Sequence, residues 1–406
     1  MSPLRPTTAD ELLAAVKDAL ADATPLEILG RGTKRDIGRP FQAGRRLETA
    51  ALTGVTLYEP GELVLSARAG TPMAEIEELL KKNRQEFAFE PPDLGPLLGG
   101  EANAQTIGGV VAGNLAGPRR LRAGAARDHF LGFHAVSGRG EAFKSGGRVM
   151  KNVTGYDLSK LMAGSWGTLA VLSDVTMKVL PAAEKTRSVL VIGLDPDRAV
   201  RAMTAAMQSA HDVSGAAHLP ASLAARSAVG YVAGAGAGVT ALRVEGTPGS
   251  VEWRCAELKK QMAGFGAVEE LHSMNSAKLW RELRDAAYLV EPQARPVWRL
   301  SVPPQRGPAV IHSITRILDV AWFMDWGGGL VWLSVAPGSA DAGAGVIRDA
   351  VGNDGHATLY RAPADLRAQI PVFHPQPPAL AALAERVKDS FDPKRILNPG
   401  RMYARV

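Results

Sequence analysis

The sequence is almost devoid of cysteine. Cys255 is the only one in 406 residues, so the chain can form no internal disulfide bond. An iron–sulfur cluster held by thiolates is excluded for the same reason, because such clusters need several cysteines. A redox function that uses such a cluster would require it on a partner protein.

Long apolar runs, basic blocks and paired histidines are also missing. The longest uncharged stretches, 102–118 and 227–242, are rich in glycine and do not resemble a membrane-spanning helix. The net charge of +6 comes from interspersed Lys and Arg, so we do not expect nucleic acid as a partner, although a mild positive excess suits an anionic cofactor. No histidines are spaced as H-x-H or H-x-x-x-H, and we expect no metal site.

The first residues have no secretory pattern. Asp10, Glu11, Lys17 and Asp18 stand where a signal peptide needs an apolar stretch, and the segment instead predicts an amphipathic helix that begins near Thr8. We therefore expect a cytoplasmic location, with peripheral association at the inner membrane only through a complex.

Length and pattern predict an α+β chain with more than one core. A hydrophobic content of 46% is ample for two packed units. We predict a first domain over 1–182, which ends near Pro181, and a smaller α+β lid over 183–378 with antiparallel strands. The C-terminal segment, 379–406, resembles the first domain in composition and is expected to return to it.

A glycine loop, GRGTKRD, runs from Gly30 to Asp36 after a predicted strand at Leu26 to Leu29. Its glycines allow backbone N–H groups to converge on an anion, and Lys34 and Arg35 add positive charge. The loop lacks the third glycine of a dinucleotide fingerprint and the Lys-Ser ending of a nucleotide-binding P-loop. A plain turn explains it equally well by itself.

A second glycine segment, QTIGGVVAGN, is harder to explain as a simple turn. Gly108 and Gly109 interrupt an apolar run, which allows the backbone to lie flat against a ring or a phosphate. The rigid Pro91-Pro92 pair precedes it and leads to Asp93. A third segment, KNVTGYDLSKL, begins at Lys151 and predicts a helix that starts near Asp157.

The order of these segments resembles the vanillyl-alcohol oxidase family, with its two-lobed FAD-binding domain of the p-cresol methylhydroxylase type. The resemblance rests on GRGTKRD, PPD, TIGGVVAGNLAGPRRLRAGAARD, KNVTGYDLSKL, GSWGTLAVLSDVTMKVLP and FDPKRILNPGRMY. It covers the predicted first domain and the end of the chain. KNVTGYDLSKLMAGSWGTL and DWGGGLVWLSV are further similar to the FAD-binding subunits of bacterial glycolate oxidases.

The resemblance implies a set of FAD contacts. The residues expected to hold the diphosphate are Gly30, Gly32, Thr33, Lys34 and Asp36. Those expected to line the ribityl chain and the ring are Pro92, Asp93, Thr106, Gly108, Gly109 and Asn114. Arg127 and Asp128 would brace that loop, the backbone of Val171 would meet the adenine, and Asn398 would reach the flavin ring. Relatives with covalent FAD use a histidine in the first loop or a well-placed cysteine, so we expect noncovalent FAD here.

The resemblance also implies a function. It predicts an FAD-binding subunit of a complex that oxidises glycolate, or another 2-hydroxy acid, to glyoxylate and passes electrons to a quinone pool. The implied partners are a homologous flavin subunit and an iron–sulfur subunit. Related enzymes bind a metal through two histidines around Gly-Asp-Gly-Asn, whereas the corresponding stretch here, Met324 to Val335, contains no histidine. We therefore predict an electron-relay or assembly subunit.

Two alternatives stay open. In the first, the chain is a self-sufficient hydroxy-acid dehydrogenase in which His356 is the base and Arg299 binds the substrate carboxylate. The competing interpretations of these residues are a hydrogen-bonded loop histidine and a salt bridge inside the lid. In the second alternative, the chain is a scaffold without a functional flavin. GAGVTA, Gly236 to Ala241, fits G-x-G-x-x-A but precedes a predicted strand, which indicates a hairpin rather than a nucleotide site.

Overall fold

The computed structural model describes residues 2–148 and 155–406. Lys151 to Thr154, the start of the third predicted segment, lie outside these ranges. The strands are β1 (Leu26–Leu29), β2 (Arg45–Glu48), β3 (Val55–Glu59), β4 (Val64–Arg68), β5 (Gln85–Glu86), β6 (Phe130–Ser137), β7 (Ala142–Gly146), β8 (Ala170–Lys178), β9 (Leu180–Pro181), β10 (Lys185–Ile192), β11 (Val213–Leu219), β12 (Val239–Gly246), β13 (Ala267–Leu271), β14 (Val297–Ser301), β15 (Val320–Asp325), β16 (Leu330–Val335) and β17 (His356–Arg361).

The helices vary from short turns to long amphipathic elements. They are α1 (Ala9–Ala21), α2 (Met73–Lys82), α3 (Ile107–Ala112), α4 (Arg120–Ala123), α5 (Ala126–His129), α6 (Leu158–Met162), α7 (Pro196–Met207), α8 (Ala221–Ala224), α9 (Gly230–Ala233), α10 (Pro248–Met262), α11 (Ser273–Arg284), α12 (Gly307–Thr315), α13 (Ala344–Val351), α14 (Ala364–Gln369) and α15 (Pro378–Phe391).

Two larger sheets organise the chain. A five-stranded sheet has the order β3-β4-β8-β6-β7, and an eight-stranded sheet has the order β13-β10-β12-β11-β15-β16-β14-β17. The strands of the larger sheet pair antiparallel throughout the described residues, as predicted for the lid. Short pairs, β1-β2 and β5-β9, complete an α+β architecture, and the predicted fold class is confirmed.

Helix starts follow the sequence closely. The side chains of Thr8, Asp157 and Asp195 accept hydrogen bonds from the first turns of α1, α6 and α7, as N-cap residues do. Thr71 precedes α2 but does not cap it. The N-cap is Pro72, and the Thr71 hydroxyl instead donates to the carbonyl of Arg68 at 2.7 Å, which stabilises the preceding turn.

Several lid strands were not predicted, and one of them changes the position of a candidate residue. β11, β13, β15 and β17 have few clear alternations of apolar and polar residues, because sheet packing rather than local pattern defines them. His356, expected in a loop, is the first residue of β17. VTALRVEG forms β12, so GAGVTA does not open a helix.

The C-terminal segment packs into the N-terminal part of the chain. Ile396 and Leu397 are buried together with Leu12, Leu26 and Leu47 in a small apolar core of their own. The Leu26 N–H donates to the carbonyl of Ile396 at 2.6 Å. The last residues therefore complete a hydrophobic core that α1, β1 and β2 cannot close alone.

A buried ion network joins loops of the first sheet region to the eight-stranded sheet. Arg243 on β12 binds both oxygens of Glu90 at 2.8 Å, and Arg119 binds both oxygens of Glu245 at 2.8 and 2.7 Å. Burial would raise the pKa of Glu245, but Arg243 and Arg119 lower it to about 2. The network fixes how the two parts of the chain meet.

Replacing Glu245 with Gln should lower the free energy of unfolding by about 3 kcal/mol, because it leaves buried guanidinium groups without a charged partner. The pKa of Glu245 in the folded chain lies below its unfolded value of about 4.3. The contribution of Glu245 to the free energy of unfolding is therefore complete above that pH and is lost as the pH falls towards 2. Thermal unfolding of the wild type and the variant from pH 3 to 8 should show that their difference in stability shrinks in acid.

The matched control is Glu252→Gln, because Glu252 likewise pairs with an arginine, Arg187, but is half exposed. Its unfolding midpoint should stay near that of the wild type. Equal effects of the two substitutions would contradict the structural role of the buried network.

Candidate functional site

The first glycine loop, the second glycine segment and β8 enclose a cleft with about 740 Å³ of empty space, which we call cleft 1. Eight of the residues predicted to contact FAD line it: Gly30, Gly32, Thr33, Lys34, Thr106, Gly108, Gly109 and Val171. Segments that are distant in sequence are thus brought together around one space.

Close backbone contacts explain the glycines of cleft 1. A Cβ atom at Gly30 would lie 2.4 Å from the hydroxyl oxygen of Thr106, and one at Gly108 would lie 2.8 Å from the carbonyl oxygen of Ala69. Gly32 has a φ of +77° with nothing near its missing side chain, so it supplies a left-handed turn. The Thr106 hydroxyl accepts from the Gly109 N–H at 3.3 Å and begins α3.

Lys34 is a buried cation at this cleft. Its side chain is only 7% exposed, and its Nζ lies 3.5 Å from Gln105 Oε1 and 3.3 Å from Thr33 Oγ1. Burial lowers the pKa of the ammonium to about 8, a shift that Asp93 opposes and Arg401 reinforces. The ammonium is therefore poorly compensated within the protein and suits an anionic ligand.

The C-terminal segment holds the glycine loop in place. Arg401, which the sequence reasoning did not identify, donates to the Lys34 carbonyl at 2.8 Å and to the Ile37 carbonyl at 3.3 Å. Its guanidinium also lies over the ring of Trp166, 5.4 Å from the centroid. The arginine in LNPGRMY was visible in the sequence, but no local pattern marks its contact with the loop.

Asn398 does not line cleft 1 or the second cleft described below. Its Oδ1 accepts from the Ile28 N–H and its Nδ2 donates to the Trp166 carbonyl, both at 2.8 Å, and the residue is fully buried. These hydrogen bonds link β1 to the Trp166 turn, and the expected contact of Asn398 with the flavin ring stays a prediction. These two backbone groups would otherwise lack partners in the interior.

The remaining predicted residues have mixed positions. Asp36 points away from cleft 1 and its carboxylate accepts from Arg367 at 3.0 Å. Asp93 lines neither cleft, because its oxygens accept from the backbone N–H groups of Gly95 at 3.2 Å and Asn103 at 2.6 Å. Their assignment to FAD stays a prediction that this geometry does not favour.

The loop around Asn114 is braced as expected, although through the backbone. The Arg127 N–H donates to Asn114 Oδ1 at 3.0 Å, and Asp128 accepts from the Ala125 N–H at 2.9 Å. Asn114 has a φ of +47°, which this contact stabilises. Asn114 and Pro92 both line the second cleft.

A second cleft, cleft 2, lies between that loop and the eight-stranded sheet and contains about 1080 Å³ of empty space. Trp166 lines both clefts, so they are neighbours. Residues Asp325, Leu330, Ser301 and His356 form one row across β15, β16, β14 and β17, and all four line cleft 2. Arg299, in the adjacent row on the same face, lines it too.

Two arginines of cleft 2 have aromatic rather than acidic neighbours. The guanidinium of Arg299 lies 4.8 Å from the centroid of Trp326, and that of Arg120 lies 5.1 Å from the same ring. Neither has an ion pair with a carboxylate among the described residues. The salt bridge considered for Arg299 is thus absent from this part of the chain, and the positive charge faces the cleft.

Burial shifts the pKa of two titratable groups of cleft 2. Burial raises the pKa of Asp325 to about 7, whereas burial and the charge of Arg299 lower the pKa of His356 below its ordinary value. Asp325 accepts from the Trp326 N–H at 2.7 Å and precedes three residues with positive φ. In the sequence, Asp325 was marked only as an acidic residue followed by W-G-G-G.

Comparison with known proteins agrees with this arrangement. Residues 3–146 match the model of the FAD binding domain, and residues 375–402 match that of the C-terminal domain of FAD linked oxidases. Glycolate oxidase subunit GlcE of Escherichia coli (strain K12) is 33% identical over 401 residues, which is 97% of this chain and 97% of the relative. The chain belongs to the FAD-linked oxidase family that contains GlcE.

Other relatives match part of the sequence or the fold. D-lactate dehydrogenase of Archaeoglobus fulgidus is 30% identical over 44% of this chain and 38% of its own length. The structure of 4-ethylphenol oxidase from Gulosibacter chungangensis superposes with a TM-score of 0.73 at 15% identity, covering 98% of this chain and 88% of that one. p-Cresol methylhydroxylase gives a TM-score of 0.68 at 12% identity, with the same coverage. The family resemblance inferred from the motifs is confirmed.

The residues of cleft 1 fit the cofactor of this family, FAD. The buried ammonium of Lys34 can meet a diphosphate, and Gly30 and Gly108 allow close backbone approaches at which a Cβ atom would clash with Thr106 or Ala69. In residues 2–148 and 155–406, no group of acidic, histidine or cysteine side chains is placed to bind a metal ion. None of the helices in the same ranges has the length and apolarity to cross a bilayer.

Replacing Lys34 with Met should weaken FAD binding about 10- to 100-fold at pH 7, because a charge-assisted contact with the diphosphate is lost. Wild-type affinity should fall above pH 8 as the ammonium of the flavin-free protein loses its proton, whereas the variant should show no such fall up to pH 9.5. Fluorescence titration of flavin-free protein measures both effects.

Lys82→Met is the control, since Lys82 is 69% exposed on α2. It should bind FAD as the wild type does. Unchanged affinity and unchanged pH dependence in Lys34→Met would show that Lys34 does not meet the cofactor.

Proposed function

We propose that this chain is the FAD-binding subunit of a multi-subunit oxidase of glycolate or a related 2-hydroxy acid. The observation that carries the proposal is the match to a glycolate oxidase subunit along nearly the whole of both chains. The arrangement of two adjacent clefts, one suited to a dinucleotide and one lined by cations, supports it.

In the proposed complex, cleft 1 holds FAD without a covalent bond. Gly30, Gly32, Thr33 and Lys34 would surround the diphosphate, while the strand around Val171 would meet the adenine. The flavin supplies a two-electron acceptor for hydride. The chain's own contribution is to bury the cofactor's negative charge next to Lys34 and to hold the loop through Arg401.

Cleft 2 would receive the carboxylate of the hydroxy acid. Arg299 and Arg120 both lie over the ring of Trp326 and have no ion pair with a carboxylate among the described side chains, so an anion would gain two cations at once. The indole ring keeps both guanidinium groups in place through contact with its face and through its hydrogen bond to the Gly117 carbonyl at 3.0 Å. His356 lines the same cleft.

The proposed partners are a homologous flavin subunit and an iron–sulfur subunit. The single cysteine of this chain supports placing any cluster on a partner. The lack of histidine in Met324 to Val335 supports electron relay or assembly as this chain's part. Direct oxidation of substrate is a second candidate, which the convergence of Arg299 and His356 on cleft 2 favours.

Anaerobic absorption spectra of the FAD-loaded chain, alone and with its partners, test these proposals. If this chain relays electrons, glycolate should bleach the flavin only in the presence of the partners. If the chain oxidises the substrate directly, glycolate should also bleach the flavin of the isolated chain. A purified protein that stays colourless after addition of FAD would contradict both and leave a scaffold.

Arg299→Met should raise the dissociation constant for glycolate about 10- to 100-fold through loss of a charge-assisted contact, with FAD still bound. Equilibrium binding to the FAD-loaded chain measures the effect. Arg306→Met is the control, because Arg306 pairs with Asp354 and does not line cleft 2. If both variants bind glycolate equally well, Arg299 is not the carboxylate site.

A further inference from the structure

Asp325 is a buried carboxylate that the fold does not explain. Its side chain is 2% exposed, and one oxygen accepts from the Trp326 N–H at 2.7 Å. The other oxygen has no hydrogen-bond donor among the described residues, although Asp325 lines cleft 2. Buried carboxylates ordinarily find several donors, so this oxygen is available to a ligand.

Its position on the sheet brings Asp325 to the same space as the cations of cleft 2. Asp325 pairs with Leu330, Leu330 with Ser301 and Ser301 with His356, which places these residues on one face. At about 4.8 Å between strands, Asp325 and His356 stand roughly 14 Å apart at opposite ends of the row. The side chain of Arg299 extends from the next row into the interval between them.

We propose that Asp325 is a proton-exchanging group of cleft 2, which takes up a proton when a small carboxylate binds beside Arg120 and Arg299. This inference rests on the proposed carboxylate site. In the empty cleft the nearby positive charge favours ionised Asp325. A bound anion cancels part of that charge, so Asp325 takes a proton from solvent on its unpaired oxygen and can donate it to an oxygen of the ligand.

The charges around Asp325 place this exchange near neutral pH. Burial raises its pKa to about 7, and this value already includes the lowering effects of the Trp326 N–H, Arg243 and Arg299 and a raising effect of Glu90. His356 is the other titratable group of the row, and burial together with Arg299 holds its pKa below 6.5.

Calorimetry of the FAD-loaded protein with oxamate tests the inference, because oxamate is a carboxylate with no α C–H bond to oxidise. Titrations at pH 7.5 in two buffers with different ionisation enthalpies give the number of protons bound. A rise of one unit in a pKa of about 7 predicts uptake of about half a proton per oxamate.

The variants Asp325→Asn and His356→Gln separate the two groups. Asparagine keeps an oxygen for the Trp326 N–H, so the turn is retained while the titrating group is removed. Proton uptake on oxamate binding at pH 7.5 should vanish in Asp325→Asn and persist in His356→Gln. The inference would be overturned if Asp325→Asn took up as many protons as the wild type. It would also be overturned if the wild type bound oxamate without taking up protons, or did not bind oxamate at all. The proposed function is judged separately, by flavin reduction with glycolate in the assembled complex.

Discussion

Lys34 holds a positive charge inside the protein, and much of the surrounding structure serves to keep that charge beside an open cleft. An ammonium that is 7% exposed and has only weak polar contacts is costly without an anion. The glycine loop positions it, the Thr106 turn lies against it, and Arg401 holds the loop from the opposite end of the chain. The need to close this arrangement explains why the C-terminal segment packs against α1 and β1.

A similar logic applies to cleft 2, where positive charge also faces open space. Arg299 and Arg120 share the ring of Trp326 rather than a carboxylate, and the nearby acid, Asp325, is buried with an oxygen to spare. By contrast, Arg243 and Arg119 in the adjoining network are fully paired with Glu90 and Glu245. The paired arginines join the two parts of the chain, and the unpaired ones are available for ligands.

Local sequence patterns predicted the parts of the fold that depend on local chemistry. The helix starts at Thr8 and Asp157 and the strand at Leu26 to Leu29 carry their own signals. Glycine segments also indicated most of the lining of cleft 1, because close backbone approach excludes other residues. The sequence alone misplaced His356, which lies on a strand rather than in a loop because sheet pairing sets its environment.

Residues that act through long-range packing left little trace in the sequence. Arg401 reaches Lys34 across 367 positions, and Asp325 becomes notable only when β15, β16 and β14 bring it to the same face of the sheet as Arg299. The family resemblance compensated for part of this, since it placed the C-terminal motif near the cofactor. It did not supply the cross-strand row of cleft 2.

The most direct test of the account is a crystal structure of the chain grown with FAD. The account predicts the diphosphate within hydrogen-bond distance of the Lys34 ammonium and the loop N–H groups, with the flavin ring at the junction of the two clefts beside Trp166. A cofactor bound elsewhere, or a cleft 1 closed by side chains in the presence of excess FAD, would contradict it.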